Sequence, residues 1–314
     1  MINKTRIAIL GIGGVGGYFG GYLANKYFKS PEVEIIFIVR PATEKIIKEK
    51  GLTLITPLEK KTIFPDIVAS DPNDIGEVDF LVCCTKSYDL EDSILKLGSC
   101  ITKHTVILPL LNGIDAKERI SKLYPGIEIW EGCVYIVSRL ISPGVVKETG
   151  KLHLLYFGSD DGSNKKLTHF EKILLDARIE ATLSDNIQQT IWEKYLFLSS
   201  IANMTTYMDM TVGEILNNKE GKDTLIQLIK ELKLVADAKK IPLPGRIVEN
   251  TITKIERLPF EATSSMHSDY IKGGRTEYIS LTEYVSNLGD KHHVETPAFD
   301  KILAEFVKRD RTRK

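Results

Sequence analysis

The chain of 314 residues is poor in cysteine, has no excess of charge and lacks long apolar runs. Its four cysteines show no C-x-x-C spacing, which favours reduced thiols in a cytoplasmic protein over disulfides. Its 42 basic residues balance 42 acidic residues, so neither nucleic acid nor an anionic membrane is an expected partner. The absence of an apolar run of about 18 residues argues against a membrane-spanning segment. The adjacent His292 and His293 have no carboxylates at ligand spacing, so no metal is expected.

The chain does contain a glycine-rich turn directly after the apolar strand Ile7–Leu10. The turn matches the template G-x-G-x-x-G at Gly11, Gly13 and Gly16. The first glycine allows a sharp turn, the second lets a pyrophosphate approach bare backbone, and the third lets the next helix pack closely. The motif alone is weak, but it lies between a strand and a helix-like segment, Tyr18–Phe28, which favours dinucleotide binding over a purely structural turn. The predicted cofactor contacts here are Gly11, Ile12, Gly13, Gly14, Val15 and Gly16.

Residues 1–184 are predicted to form a Rossmann-type domain, because short apolar strands alternate there with helix-like segments. A strand and a hairpin that turns at Pro143-Gly144 are expected within residues 128–158, before a helix at Lys165–Ala177 and a strand at Glu180–Leu183. The other predicted strands are Ile7–Leu10, Val33–Val39, Asp79–Cys84 and Thr105–Leu110.

Residues 185–314 are predicted to form an all-α domain, because strand signals almost vanish after Asp185. The predicted helices are Asn186–Met210, Thr224–Lys239, Gly245–Glu256, Arg275–Asn287 and Pro297–Lys308. The expected fold class is therefore α/β, an N-terminal dinucleotide-binding domain followed by an all-α domain, with the active site in the cleft between them. The last seven residues, 308–314, are mostly basic and are expected to be a solvated tail.

Three polar residues follow predicted strands, at the sheet edge where ligands bind in open α/β folds. Arg40 replaces the acidic residue that would accept from the ribose 2′-OH of NAD. With no acidic residue competing there, its guanidinium favours the 2′-phosphate of NADP(H). Lys86 and Asn112 follow the next two strands and are predicted to lie at the same ligand-binding edge. The alternatives are a surface arginine, a helix-capping loop and an Asn-Gly turn, respectively.

The predicted all-α domain contains four candidate site residues, which are a lysine, two serines and a glutamate. Lys194 lies within an otherwise apolar helix, where it either extends to solvent or acts as a cation tuned by partial burial. Ser264, Ser265 and Glu277 lie near predicted helix starts, and each is either a cap or part of a site.

The glycine motif, Thr85-Lys86, Asn112-Gly113, Trp192-x-Lys194, Ser264-Ser265-Met266 and Thr276-Glu277 occur in one order along the chain. This ordered set resembles the ketopantoate reductase family over nearly the whole length. The resemblance implies NADPH-dependent reduction of a 2-oxo acid, 2-dehydropantoate, to (R)-pantoate on the route to pantothenate. It implies Lys194 as general acid and Glu277 as catalytic carboxylate. It also implies cofactor contacts by Arg40, Lys86 and Asn112, and substrate contacts by Lys86, Asn112, Lys194, Ser264 and Ser265.

The chain departs from the family pattern on the helix that carries Lys194. Family members typically have asparagines four and eight residues after this lysine, where the chain has Leu198 and Ala202. Asn203 projects from the opposite helix face, whereas Thr205 lies closer to the face of Lys194. The departure leaves open a reductase of another 2-oxo acid or a dehydrogenase of a 3-hydroxy acid. An NADP-binding regulatory protein is a further alternative, and a homodimer is compatible with the sequence.

Overall fold

The computed structural model describes residues 4–312 of the chain. The chain divides into two compact units, Met1–Leu111 with Ala116–Ile187, and Asn112–Asp115 with Gln188–Lys314. The predicted fold class, an N-terminal Rossmann-type domain followed by a helical domain, is confirmed. The predicted boundary between residues 184 and 185 lies close to this division and stays a prediction.

The helices and strands are numbered here in chain order. The strands are β1 (Thr5–Leu10), β2 (Val33–Ile38), β3 (Leu52–Ile55), β4 (Lys60–Ile63), β5 (Ile67–Ala69), β6 (Phe80–Cys83), β7 (Val106–Pro109), β8 (Glu128–Ile129), β9 (Glu131–Ser142), β10 (Val145–Gly158) and β11 (Glu180–Leu183). The helices of the first unit are α1 (Gly14–Tyr27), α2 (Pro41–Lys50), α3 (Leu90–Leu95), α4 (Ala116–Leu123) and α5 (Lys165–Asp176). The following helices are α6 (Ile187–Met208), α7 (Val212–Asn217), α8 (Lys219–Ala238), α9 (Ile247–Glu256), α10 (Ser265–Ile271), α11 (Tyr284–His292) and α12 (Pro297–Thr312).

The main sheet of the first unit is parallel and has the strand order β5-β2-β1-β6-β7-β8. Alternate side chains of β1 enter two separate hydrophobic cores, Ile7 and Ile9 on one face and Ala8 and Leu10 on the other. Burial on both faces explains the continuous apolar sequence of this strand. Leu10 pairs with Ile38 and Cys83, so the segments that follow β1, β2 and β6 begin at one sheet edge.

A second sheet has the order β11-β10-β3-β4, with β9 paired to β10. The hairpin of β9 and β10, which turns at Pro143-Gly144, and the strand β11 were predicted, whereas β3 and β4 were not. Helix α1 packs against both sheets through its glycines. A methyl group on Gly17 would lie 2.4 Å from Val146 of β10, and one on Gly20 would lie 3.1 Å from Phe37 of the main sheet. Because both faces of α1 are covered, the helix needs glycine well beyond the G-x-G-x-x-G turn.

The C-terminal residues extend the last helix instead of forming a tail. Helix α12 begins at Pro297, as predicted, and continues to Thr312. Arg309 donates to the carbonyls of Thr206 and Tyr207, both 2.9 Å away, at the C-terminal end of α6. A helix end exposes carbonyls that lack partners within the helix, and a guanidinium satisfies two of them. The predicted tail is therefore wrong for residues 308–312, and residues 313 and 314 lie outside the described residues.

No helix among residues 4–312 is long and apolar enough to cross a bilayer. The same residues contain no group of three or more His, Cys, Asp or Glu side chains that could hold a metal ion. The cysteines form no disulfide, and burial raises the pKa of the Cys84 thiol to about 12. A thiol with so high a pKa is a poor nucleophile.

Candidate active site

The glycine turn after β1 has the geometry that its sequence predicts. Gly11 has φ +91°, and a methyl group there would lie 3.1 Å from the Thr85 backbone nitrogen. A methyl group on Gly16 would lie 2.1 Å from the Gly11 carbonyl oxygen, and one on Gly14 would lie 2.3 Å from the Ser138 carbonyl oxygen. Gly14 and Gly16 therefore allow α1 to pack closely against neighbouring backbone, and Gly11 allows the turn to lie against the Thr85 segment.

Gly13 differs from its neighbours, because a methyl group there would have no protein atom within 4 Å. The N-terminus of α1 begins at this open position, with no side-chain cap on Gly13 and no acidic residue in the first turn. Thr85 lies against Gly11 of the same turn, and its buried hydroxyl has no hydrogen-bond partner among the described residues. A helix N-terminus and an unpaired donor beside uncovered backbone suit a pyrophosphate. The residues present therefore fit a dinucleotide, and Ile12 and Val15, which pack on the core, offer it only backbone groups.

Arg40 ends the segment after β2 with its side chain 84% exposed, and it precedes α2. Its guanidinium donates to Asp89 Oδ2 at 3.1 Å. The expectation that no acidic residue competes for Arg40 is thus wrong, because Asp89 is brought there by the turn after β6, 49 residues along the chain. The carboxylate weakens the positive field that a 2′-phosphate would meet.

Lys86 is half-buried and precedes a short 3-10 turn, Ser87–Asp89, at the end of β6. Arg119 of α4 fixes this turn, since it donates to the Ser87 carbonyl and to both carboxylate oxygens of Glu91. The paired guanidinium lowers the pKa of Glu91 and keeps it charged. Lys86 is therefore carried by a braced turn at the same sheet edge as the glycine motif.

In the second unit, Lys194 of α6 and Asn112 lie together although 82 residues separate them. Lys194 is half-buried, and its Nζ donates to Asn112 Oδ1 at 3.4 Å. The prediction attached Asn112 to the edge of the sheet, but residues 112–115 cluster with the helical unit. An ammonium beside an amide oxygen, at a partly exposed position, is suited to donating a proton to a small molecule.

Glu277 is 3% exposed and lies directly before a helix that begins with a π-helical turn, Ile279–Glu283. The predicted helix at Arg275–Asn287 therefore starts later than expected. π-helical turns in α-helices frequently occur at functional sites.

The two serines have different environments. Ser264 is buried and caps α10, since its Oγ accepts from the His267 backbone N–H and lies 2.9 Å from Thr205 Oγ1. Because the Thr205 hydroxyl donates to the Ile201 carbonyl, the Ser264 hydroxyl is the donor between them. Ser265 is exposed. The substrate contact predicted for Ser264 is thus limited to its remaining lone pair, whereas the Ser265 hydroxyl is accessible.

Helix α6 has no amide beside Lys194 on its own face. Leu198 is half-buried and Ala202 is buried, and neither can form a hydrogen bond. Asn203 is fully buried and donates to the carbonyls of Ser199 and Leu281, as its opposite-face position requires. The Thr205 hydroxyl is also buried and donates within the helix, so it cannot take the role of the missing asparagine.

The first unit is typical of an oxidoreductase that binds a nicotinamide dinucleotide at the end of a parallel sheet. A family model described as ketopantoate reductase PanE/ApbA matches residues 7–162, and the model of its C-terminal part matches residues 186–309. The chain belongs to the ketopantoate reductase family, which confirms the predicted resemblance. The members are NADP-dependent oxidoreductases that act on CH–OH groups, so the predicted enzyme class and cofactor are confirmed at the level of the family.

Solved and curated relatives cover almost the whole chain. The crystal structure of 2-dehydropantoate 2-reductase from Porphyromonas gingivalis is 30% identical with a TM-score of 0.85, covering 97% of this chain and 100% of that one. D-mandelate dehydrogenase with NADH and anilino(oxo)acetate is 25% identical with a TM-score of 0.86, covering 98% and 99%. The uncharacterised oxidoreductase YkpB of Bacillus subtilis is 25% identical over 302 residues, covering 96% and 97%. The chain is thus similar to reductases whose names give different substrates.

Proposed function

We propose that the protein reduces 2-dehydropantoate to (R)-pantoate with NADPH. The observation that carries this proposal is the 3.4 Å approach of Lys194 Nζ to Asn112 Oδ1 in the helical unit. Both residues hold positions that the family resemblance assigns to the reaction. The glycine turn of the first unit supports the same activity, because its residues fit the dinucleotide cofactor that the reaction needs.

The first unit would hold the cofactor. The N-terminus of α1 would bind the pyrophosphate over Gly13, Arg40 would bind the 2′-phosphate, and Lys86 would contact the cofactor and the substrate carboxylate. When bound, NADPH supplies a hydride to the ketone carbon of the substrate.

The helical unit would supply the proton and the orientation. Negative charge develops on the carbonyl oxygen as the ketone is reduced, and the Lys194 ammonium would stabilise that charge and then donate its proton. The Asn112 amide would orient the lysine and the substrate relative to each other. Glu277 would act as a buried carboxylate that orients the lysine or a substrate hydroxyl. Ser265, and the remaining lone pair of Ser264, would contact the substrate.

The direct test is the loss of NADPH absorbance with purified protein and a panel of 2-oxo acids that includes 2-dehydropantoate. The proposal expects 2-dehydropantoate to give the highest kcat/KM of the panel, and Lys194→Ala to remove that activity. Turnover of another acid alone would replace the substrate but keep the chemistry. No turnover of any member, with NADPH binding intact, would overturn the enzymatic role.

A second candidate is a related reductase of another 2-oxo acid, or a dehydrogenase of a 3-hydroxy acid. Leu198 and Ala202 favour it, because a substrate hydroxyl placed against these side chains would lose its hydrogen bonds. The similarity to D-mandelate dehydrogenase supports the first of these, another 2-oxo acid, since mandelate lacks the 4-hydroxyl group of pantoate.

Substrate choice is expected to depend on Leu198. A lost hydrogen bond costs about 1–3 kcal/mol, and Thr205 cannot replace it. We therefore expect Leu198→Asn to raise kcat/KM for 2-dehydropantoate by roughly 5- to 150-fold relative to its deoxy analogue, 3,3-dimethyl-2-oxobutanoate. Steady-state kinetics with both acids measure this ratio, and Leu198→Met is the matched apolar control. A wild type that already prefers 2-dehydropantoate strongly, with no gain in the asparagine variant, would show that another group serves the hydroxyl.

Cofactor choice is expected to depend on Arg40 and Asp89 together. A charge-assisted contact favours NADPH, and the exposed ion pair offsets a small part of it, which leaves a preference of roughly tenfold. We expect Arg40→Ala to abolish the preference and Asp89→Asn to increase it. Fluorescence titration measures the dissociation constants of NADPH and NADH for the wild type and for each variant, with Asp92→Asn of α3 as the control. Equal affinities in wild type, or an unchanged ratio in Arg40→Ala, would contradict this assignment.

The homodimer and the cytoplasmic location stay predictions. Light scattering of the purified protein measures the first, and fractionation of the source cells measures the second.

A further inference from the structure

The three segments that carry Asn112, Lys194 and Glu277 share one buried hydrogen-bond network. Asp115 lies three residues after Asn112, Tyr195 directly follows Lys194, and Ser280 lies three residues after Glu277. Asp115, Tyr195 and Ser280 are each at most 3% exposed. The inference below rests on the proposed function, since it takes Asn112, Lys194 and Glu277 as the reacting site.

Ser280 connects the other two members of the network. Its hydroxyl donates to Asp115 Oδ2 at 2.8 Å, and its carbonyl oxygen accepts from the Tyr195 hydroxyl at 2.7 Å. A carbonyl in a regular α-helix is normally used by the residue four positions later, whereas a π-helical turn frees carbonyls for other donors. The π-helical turn therefore makes this backbone oxygen available to α6.

Helix α6 holds the π-helical turn through a stripe at spacing i, i+4 and i+8. Tyr195 donates to the Ser280 carbonyl, and Ser199 and Asn203 both donate to the Leu281 carbonyl at 2.8 Å. Burial raises the pKa of Tyr195 far above its ordinary value, so its hydroxyl stays protonated and acts as a donor. Lys194 is thus fixed relative to the segment that carries Glu277.

The Asn112 loop is fixed from the other side of Ser280. Gly113 has φ +107°, and a methyl group there would lie 2.7 Å from Asp115 Oδ1 and 3.1 Å from Ser280 Cβ. The glycine therefore permits the close approach of the loop to the π-helical turn. The same loop presents Asn112 to Lys194.

We propose that Ser280 is a positioning residue of this enzyme, which ties the Asn112 loop and the Lys194 helix to the segment of Glu277 through Asp115 and Tyr195. Ser280 touches neither substrate nor cofactor in this assignment. Its effect is on the geometry of the proton donor and its amide partner, and misplacement of such groups by a small distance lowers turnover strongly.

The test compares Ser280→Ala with Ser200→Ala. Ser200 is also fully buried, lies on α6 beside Ser199, and its hydroxyl has no hydrogen-bond partner among the described residues. We expect Ser280→Ala to lower kcat by roughly 10- to 100-fold with an unchanged NADPH dissociation constant, and Ser200→Ala to change neither. Asp115→Ala should lower kcat as much as Ser280→Ala does. Asp115→Asn should keep most of the wild-type kcat, because an amide oxygen still accepts the hydrogen bond. The double variant Asp115→Ala/Ser280→Ala should have a kcat no lower than that of either single alanine variant.

A second readout does not depend on turnover. Amide hydrogen exchange of peptides that cover residues 112–115 should be faster in Ser280→Ala than in Ser200→Ala or the wild type, because the loop loses its anchor. Equal exchange, or a kcat within twofold of wild type in Ser280→Ala, would overturn the inference. If Lys194→Ala also leaves turnover intact, the proposed function itself fails. If Lys194→Ala abolishes turnover while Ser280→Ala does not, only the positioning role fails.

Discussion

Lys194→Ala is expected to lower kcat by about 10²- to 10⁴-fold, the range for loss of a positioned general acid. The side chain is half-buried on α6 and contacts Asn112, whereas the cofactor turn belongs to the other unit. We therefore expect the NADPH dissociation constant and the midpoint of thermal unfolding to stay near those of wild type. Stopped-flow and steady-state kinetics measure the change in kcat, and fluorescence titration measures the NADPH dissociation constant.

Lys194→Arg separates the two roles of the lysine. A guanidinium keeps the positive charge but does not release a proton in the working pH range, so it retains electrostatic stabilisation and loses acid catalysis. Lys222→Ala is the matched control, since this lysine on α8 lies at the surface in an ion pair with Glu256. A Lys194→Ala variant that keeps most of its turnover would show that this lysine is not the proton donor.

Alanine at Gly13 and at Gly16 should produce opposite defects. At Gly16 the added methyl group would meet backbone at 2.1 Å, and overpacking of this kind costs roughly 1–3 kcal/mol or more. We expect a thermal midpoint lower by about 5–10 °C. At Gly13 the methyl group meets no protein atom, so the fold should keep its stability. It would occupy the space of the pyrophosphate instead, and NADPH affinity should fall by roughly 10- to 100-fold.

Differential scanning calorimetry and cofactor titration on the same two variants measure both effects. Gly126→Ala is a control for an alanine in a turn away from the site, since an added methyl group there also meets no protein atom, although its φ of +84° adds local strain. Tight NADPH binding by Gly13→Ala would exclude the pyrophosphate from this turn. A fully stable Gly16→Ala would show that α1 can move away from β1.

The four central strands of the main sheet, β1, β2, β6 and β7, were predictable because both faces of the sheet are buried. Continuous apolar runs such as Ile7–Leu10 have a single structural explanation in a parallel sheet. In the second sheet the hairpin of β9 and β10 and the strand β11 were predicted, but β4 was missed because it begins with the exposed Lys60 and Lys61, which show no apolar alternation. Helix α1 was predicted to begin at Tyr18, since glycine is a poor helix former and its burial against a second sheet is a tertiary effect.

Only some residues of the candidate site could be predicted from the sequence. Lys194 could be singled out because a charge inside an apolar helix is conspicuous. Asp89 beside Arg40 and Ser280 beside Asp115 are pairs distant in sequence, and only the folded chain brings them together. The sequence is compatible with Ser264 as a cap or as a substrate contact, and its hydrogen bonds with His267 and Thr205 show that it caps α10.

Residues 112–115 belong to the second unit although the chain on both sides of them belongs to the first, and this limits where the protein can be cut into fragments. The polypeptide passes from one unit to the other after Leu111, after Asp115 and after Ile187. A fragment that starts at Gln188 would therefore contain Lys194 and Glu277 but neither Asn112 nor the Asp115 acceptor of the Ser280 hydroxyl. Expressing the helical half by itself would leave that buried donor without its acceptor. A split or circularly permuted version needs its breakpoint elsewhere, for example in the turn at Gly162, where an added side chain would meet nothing.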